Sequence, residues 1–260
     1  MKRRAFLKSS VAGLTGSALF AAPSLAADAA PGVEYYELRT YSLKPEKQPL
    51  LEEYLGKAFI PALTRLGIGP VGVFSEKAAE KLVIVVLIVF SSPQQALTLS
   101  SRLAADPEYQ TAAATYLAAV AADPVYERID SSLLAAIPGM PKLEKPDTTK
   151  PRLLNLRIYE SHNERAALKK IEMFNKHEMA IFRRVGLTPV FFGESIIGPR
   201  LPNLTYLLVF PDDEARAAAW KRFGGDEDWK KLRAMPEYAD KEIVSKITNR
   251  LMTPLPFSGI

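Results

Sequence analysis

Hydrophobic and polar positions first alternate, then recur at three- and four-residue spacing, then alternate again, and the chain runs through this order twice. The first pass opens on Val33 to Tyr41, where the period of two predicts a strand. Leu51, Tyr54, Leu55, Phe59, Leu63 and Leu66 then share one helical stripe. Pro61 lies inside it, which predicts a kink or break near Lys57, and Gly67 is placed to take a left-handed cap. A short strand over Pro70 to Phe74 leads by a hairpin into the most apolar run of the half, Leu82 to Phe90. Ser92-Pro93-Gln94-Gln95 predicts a capping box opening a second helix. That helix restarts at Asp106-Pro107-Glu108-Tyr109, and a last strand over Val125 to Leu133 closes the unit.

The second pass repeats each step. A strand over Leu153 to Tyr159 precedes a helix with Leu168, Ile171, Phe174, Phe182 and Val185 on one stripe, ending at Gly186. Strands follow over Pro189 to Gly193 and Leu204 to Phe210, joined by the turn chemistry of Gly198-Pro199-Arg200-Leu201-Pro202-Asn203. Pro211-Asp212-Asp213-Glu214 starts the second helix with acidic residues, which suits a helix amino end. It restarts at Asp226-Glu227-Asp228-Trp229, and Ile243 to Leu251 is the last strand. Even the opening words match: Glu37-Leu38-Arg39-Thr40-Tyr41 returns as Asn155-Leu156-Arg157-Ile158-Tyr159. Between the passes, residues 137–151 carry Pro138, Pro141, Pro146 and Pro151, which reads as a linker. The repeats are therefore 33–136 and 152–258.

Each repeat is β-α-β-β-α-β, the order of a ferredoxin-like unit with helices on one sheet face. The fold class is α+β. The other sheet face is bare and apolar, so two units in one chain are expected to pack sheet to sheet. Edge strands left by such an internal pair stay free to join a second copy of the chain, which keeps a homo-oligomer in view.

The amino-terminal residues change the charge argument. Lys2-Arg3-Arg4-Ala5-Phe6-Leu7-Lys8 precedes an uncharged run from Ser9 to Ala22, and Ser24-Leu25-Ala26 offers small residues for cleavage. This is a twin-arginine (Tat) export pattern, so residues 1–26 are expected to be a signal peptide and the mature protein periplasmic or secreted. The apolar run is too short to span roughly 30 Å of hydrocarbon. The whole-chain charge of +5 falls to +1 without Lys2, Arg3, Arg4 and Lys8, so nucleic acid and anionic membranes are not expected partners. There is no cysteine, and the exported chain must be held by its core.

The strand phrase ELRTY/NLRIY, the glycine-to-proline turn into the second strand, the apolar third strand ending in Val-Phe and the acidic restart before Tyr or Trp resemble the NIPSNAP family. They are most similar to two-repeat, Tat-exported bacterial members, over nearly the whole mature chain. The resemblance implies a dimeric α/β barrel, here as a pseudo-dimer within one chain, and carries no settled reaction. Haem-degrading and cofactor-free monooxygenases, chlorite-dismutase-like haem enzymes and stress-response barrel proteins share the fold by analogy.

Strand alternation then sorts the repeated phrase. Tyr36, Leu38 and Thr40, with Leu154, Leu156 and Ile158, are expected to face the helices. Glu37, Arg39, Tyr41, Asn155, Arg157 and Tyr159 are expected to point into the barrel. Together these six form a candidate pocket for a small anionic or aromatic ligand. The competing reading is a structural Glu37–Arg39 pair with packing tyrosines. Of the 2 histidines, His177 in His177-Glu178 lacks the second ligand of a zinc helix, since position 181 is Ile. His162 precedes Asn163, a good helix cap. No metal site is expected; haem is supported by no motif, and one of these two histidines could serve as its axial ligand. Trp220, Phe223 and Trp229 read as core against the sheet. The expected function is an exported binding protein. The alternatives are a cofactor-free or haem-dependent monooxygenase, with Tyr41, Tyr159 and Arg157 donating or positioning protons, and an interaction module with a filled barrel.

Overall fold

A computed structural model describes residues 32–76 and 82–260. The expected export signal lies outside these residues. Eight strands carry the architecture: β1 (Tyr35–Leu43), β2 (Val71–Glu76), β3 (Leu82–Phe90), β4 (Arg128–Ala136), β5 (Leu153–Glu160), β6 (Thr188–Ile197), β7 (Asn203–Phe210) and β8 (Lys246–Pro254). Each repeat forms an antiparallel four-stranded unit, β4-β1-β3-β2 and β8-β5-β7-β6, and the two join into one closed barrel.

Closure uses the outer strands of both units. Phe74, Ser75 and Glu76 of β2 pair with Pro254, Thr253 and Met252 of β8. Leu133 to Ala136 of β4 pair with Ile197 to Gly193 of β6, across a bulge between Leu133 and Leu134. The sheets thus meet by hydrogen bonds at two seams as well as by their faces, so the outer strands expected to be free edges are paired with each other over part of their length. Each unit uses part of its edges on the other: Met252 to Pro254 of β8 and Leu133 to Ala136 of β4 are paired across the seams.

Both first helices carry a widened turn. The first runs through Gln48–Tyr54, a π turn at Leu55–Phe59, and Ile60–Arg65. The second runs through Glu164–Met173, a π turn at Phe174–Glu178, and Met179–Val185. Pro61 therefore follows a π turn and does not break its helix. The same turn recurs in the second repeat without a proline, so proline alone is not its cause. Gly186 caps the second helix with φ 84°, and Gly67 takes φ 67° after the first.

The second helices depart from expectation at one start. Ser92 makes no side-chain cap bond. The Gln95 side-chain Oε1 instead accepts from the Ser91 amide at 2.9 Å, so the capping box is replaced by a bond one residue earlier. The restarts are built alike. Asp106 accepts from the Glu108 and Tyr109 amides and from Arg65 at 2.7 Å. Asp226 accepts from the Asp228 and Trp229 amides and from Arg184 at 2.9 Å. The arginine first, and then the helix amides, hold each carboxyl below its ordinary value. Leu168, expected on the buried stripe, is 56% exposed.

The face assignment of β1 and β5 is inverted. Tyr36, Leu38, Leu154 and Leu156 join Phe74, Leu87, Phe191 and Met252 in a core drawn from both repeats, inside the barrel. Tyr41 belongs to the core beneath the first-repeat helices, and Tyr159 to the one beneath the second-repeat helices. The reason is burial on both sides. A barrel of eight strands is just wide enough for side chains to fill, and its enclosed interior selects the apolar set. The helix layers do not reach across β4 and β8, where Ser131 and Asn249 remain exposed, so polar groups beneath their margins keep access to water.

Residues 137–151 are pinned and not a free tether. The Glu34 amide donates to the Pro141 carbonyl, and the Glu144 amide to the Val190 carbonyl. Ile137 and Met140 are buried. No helix of the described residues is long and apolar enough to cross a membrane. Inside the barrel the Phe191 ring lies 4.8 Å from that of Tyr36 and is fully buried. Phe191→Ala is expected to lower unfolding free energy by about 3–5 kcal/mol, read from urea denaturation. A loss below about 1 kcal/mol would contradict this packing.

Candidate functional site

Inward positions change character along the barrel axis. At one end they are apolar, with Tyr36, Val89, Leu134, Phe191 and Ile260 packed together. At the other end the same faces turn polar and enclose a cavity of about 490 Å³. Leu38, Val83 and Ile158 contribute its apolar surface, while Thr40, Ser132, Thr205, Thr248 and Asn203 offer hydroxyls and an amide. Glu76, Asp130, Arg200 and Arg250 are its charged residues. Both repeats contribute, so the cavity lies between the two sheets.

Arg250 is the centre of this mouth. It comes from β8, and its Nε and one terminal nitrogen donate to the Glu76 carboxylate of β2 at 3.0 and 2.8 Å. The pair therefore bridges a seam of the barrel. Among the described residues its remaining terminal nitrogen has only a 3.4 Å contact, to Thr40 Oγ1 of β1. Asn203 fixes the opposite wall. Its Oδ1 accepts from Ser195 Oγ at 2.7 Å and Thr205 Oγ1 at 2.9 Å, and its Nδ2 donates to the Arg200 carbonyl at 3.0 Å. Those bonds hold the β6–β7 turn, in which Arg200 takes φ 65°. Arg200 is exposed on the rim and has no ion-pair partner among the described residues.

The six residues expected to share one pocket lie elsewhere, in two groups under different helix layers. In the first group, Glu37 pairs with Arg39, whose terminal nitrogen donates to Glu37 Oε2 at 3.0 Å. Ser131 Oγ donates to the same carboxylate at 2.8 Å. The Arg39 guanidinium lies 5.3 Å from the Phe59 ring centre, and Tyr41 is buried edge-on to Tyr126 at 5.8 Å. In the second group, Arg157 stands 4.5 Å from the Trp220 ring centre and donates to Tyr159 Oη at 3.2 Å. Asn155 Nδ2 donates to Asn249 Oδ1 at 2.6 Å, and Asn155 Oδ1 accepts from Trp220 Nε1 at 3.3 Å. Burial pushes the Tyr41 phenol up, and that of Tyr206, which donates to Tyr159 Oη at 3.1 Å, well up. Both stay hydrogen-bond donors at neutral pH.

A buried ion pair escaped the sequence reading. Lys170 Nζ donates to Glu178 Oε2 at 3.1 Å, with the two side chains 1% and 2% exposed. Asp240 is 3.8 Å from the same ammonium. Three rings surround it, with centres at 5.0 Å (Phe174), 5.2 Å (Tyr159) and 5.8 Å (Trp229). In an ideal α-helix a residue eight positions on is rotated by about 80°. The π turn at Phe174–Glu178 adds backbone to one turn and brings Glu178 over Lys170. Burial works against the ammonium, but Glu178, Tyr159 and Asp240 outweigh it and raise Lys170 above its ordinary value. The available signal was Lys170, Phe174 and Glu178 at four-residue spacing on one helix.

His162 and His177 are exposed, and the His177 ring lies 5.8 Å from Tyr238. Among the described residues no three His, Asp or Glu are grouped to hold a metal ion. Phe223 and Trp229 are core residues, as expected, while Trp220 is half-buried and also faces Arg157.

The NIPSNAP family pattern matches residues 36–137 and 154–259, one match per repeat. No curated protein matches the sequence. A solved protein of conjectured monooxygenase activity from Fusobacterium nucleatum is similar in fold, with a TM-score of 0.59 at 8% identity, over 88% of this chain and 97% of that one. A second of the same description, from Lactobacillus acidophilus, has a TM-score of 0.57 at 12% identity, over 85% and 94% of the two chains. An uncharacterised NIPSNAP-like domain protein from Burkholderia xenovorans is 20% identical over 41% of this chain and 88% of its own, with a TM-score of 0.37.

The Lys170–Glu178 pair makes a specific demand on stability. Glu178→Ala leaves a buried ammonium uncompensated and is expected to cost about 3–5 kcal/mol. The double variant Lys170→Met/Glu178→Leu should recover most of that loss, as measured by chemical denaturation. Equal losses in the single and double variants would show that the charges do not act as a pair.

Proposed function

This chain belongs to the NIPSNAP family, and we propose that it is a binding protein that holds a small molecule with an anionic head in the open mouth of its barrel. One observation carries the reading: a cavity of about 490 Å³ between the sheets, with an arginine on its wall whose third nitrogen lacks a close acceptor among the described residues. A carboxylate on the ligand would accept from that Arg250 nitrogen and from the Thr40, Thr205 or Thr248 hydroxyls. Leu38, Val83 and Ile158 would take its apolar part. Arg200 on the rim would draw in and cover the negative end. The two groups built on Glu37, Arg39 and Tyr41 and on Asn155, Arg157 and Tyr159 stand behind the strands that form this wall. In this reading they support it from the helix side, without touching the ligand.

We propose further that residues 1–26 direct export through the Tat route, so that the protein works in the periplasm or outside the cell. The support is the adjacent Arg3 and Arg4, followed by the short uncharged run. Replacing both arginines with lysine should trap the chain in the cytoplasm in a cell-fractionation experiment. Undiminished export of that variant would remove the Tat assignment.

The binding reading is tested by thermal shift with a panel of small carboxylates and aromatic metabolites. A ligand present at about 100 times its Kd adds about 2.7 kcal/mol, which raises Tm by roughly 5–10 °C for a chain of this size. Thr248→Trp, which places a large side chain in the mouth, should remove that shift. No stabilising compound in the panel, or a shift unchanged in Thr248→Trp, would overturn the assignment to this cavity.

A further inference from the structure

The two repeats provide a comparison within one molecule. Arg39 and Arg157 occupy equivalent places on β1 and β5, each facing a helix layer and each lying across an aromatic ring. Their surroundings differ in the ring, Phe59 of the first helix against Trp220 of the second, and in the charge beside them. Arg39 has the Glu37 carboxylate beside it, fixed by Ser131. At the place of Glu37 the second repeat has Asn155, and at the place of Ser131 it has Asn249. These two amides bond to each other, and Asn155 also accepts from the indole nitrogen of Trp220. Trp220 is thereby held as a flat platform 4.5 Å from the Arg157 guanidinium.

Among the described residues Arg157 donates to Tyr159 Oη and lies against the Tyr206 hydroxyl, with no carboxylate bonded to it. Its Nε is buried and has no acceptor among the described residues. The carboxylate whose charge it feels, Glu178, is committed to Lys170. A buried donor without an acceptor is costly to keep, and a guanidinium presents its Nε and terminal nitrogens as a fork matched to two oxygens. Arg157 and Trp220 are half-buried and Asn249 beside them is exposed, so the guanidinium lies at the solvent margin of the outer face of β8, with its Nε covered.

We propose that Arg157, stacked on Trp220, binds a small planar carboxylate, which takes beside Arg157 the place that the Glu37 side chain takes beside Arg39. This site is separate from the barrel mouth, on the other side of β5 and β8. A flat acid suits it better than a tetrahedral anion, because the fork and the ring are both planar.

The test is titration of the full chain with acetate and with benzoate, at ionic strength held constant with chloride, followed by tryptophan fluorescence and calorimetry. Only Trp220 and Trp229 contribute to the fluorescence, as the chain has 2 tryptophans. Saturable binding of one carboxylate per chain is expected. Arg157→Gln should abolish it, and Arg157→Lys, which keeps the charge and loses the fork, should weaken it about tenfold or more. Asn155→Glu should also abolish it by supplying the missing carboxylate internally, and Glu37→Gln should raise the stoichiometry to two by freeing Arg39. The lysine and Glu37 variants keep the test decisive if Asn155→Glu fails to fold. Thr248→Trp should leave this binding intact, which separates it from any event at the mouth. The proposal is overturned by no saturable signal with either acid, by binding unchanged in Arg157→Gln, or by sulfate binding as tightly as acetate.

Discussion

The structure depends on the hydrogen-bonded closure of two half-barrels at their edges. A single β-α-β-β-α-β unit leaves an apolar sheet face and two strands with unpaired amides and carbonyls. Stacking a second unit on the face would settle only the first debt. The β2–β8 and β4–β6 seams settle the second. Once both seams are made, the space between the sheets is closed along them and opens where they stop. That is why the interior sorts along its axis, with Tyr36, Phe191 and Ile260 packed at one end and threonines, acids and arginines at the other. The Arg250–Glu76 pair joins β8 to β2 at the open end, where a seam and a polar wall coincide.

Duplication supplied two copies of each position, and the copies have diverged most where charge is buried. The first repeat answers Arg39 with a glutamate from its own strand. The second leaves Arg157 beside an amide and buries a lysine–glutamate pair one layer out, under a π turn both repeats share. Taking both ends of an ion pair out of water costs several kcal/mol per charge before any gain. Such a pair persists in a well-packed core only with close partners, and Lys170 has a carboxylate and three aromatic faces. By contrast, the acidic restarts at Asp106 and Asp226 have kept the same arginine and the same amides, because both tasks are local to one turn of helix.

Periodicity, turn chemistry and the repeated strand phrase were sufficient for the element order, the duplication and the fold class. These are local properties, decided by which side chains fall on one face of a helix or strand. Leu82 to Phe90 reads as a strand because its bulk allows little else, and Gly186 reads as a stop because it accepts a left-handed backbone. The orientation of β1 and β5 was not legible for a related reason. Both faces of these strands are covered, so alternation of Leu with Arg and Tyr marks two faces without saying which is inside. Only the closed barrel decides that, since an interior one side chain deep cannot hold six polar groups at its middle, whereas the margin of a helix layer can. The cavity at the mouth was out of reach as well: Thr40, Glu76, Thr205 and Arg250 are unremarkable in the sequence and become a site because four strands from two repeats end at one rim. What the chain determined alone was therefore each element and its double occurrence. Which face turned inward, which charges met and where space remained open were decided by tertiary closure, because those depend on pairings between residues far apart in sequence.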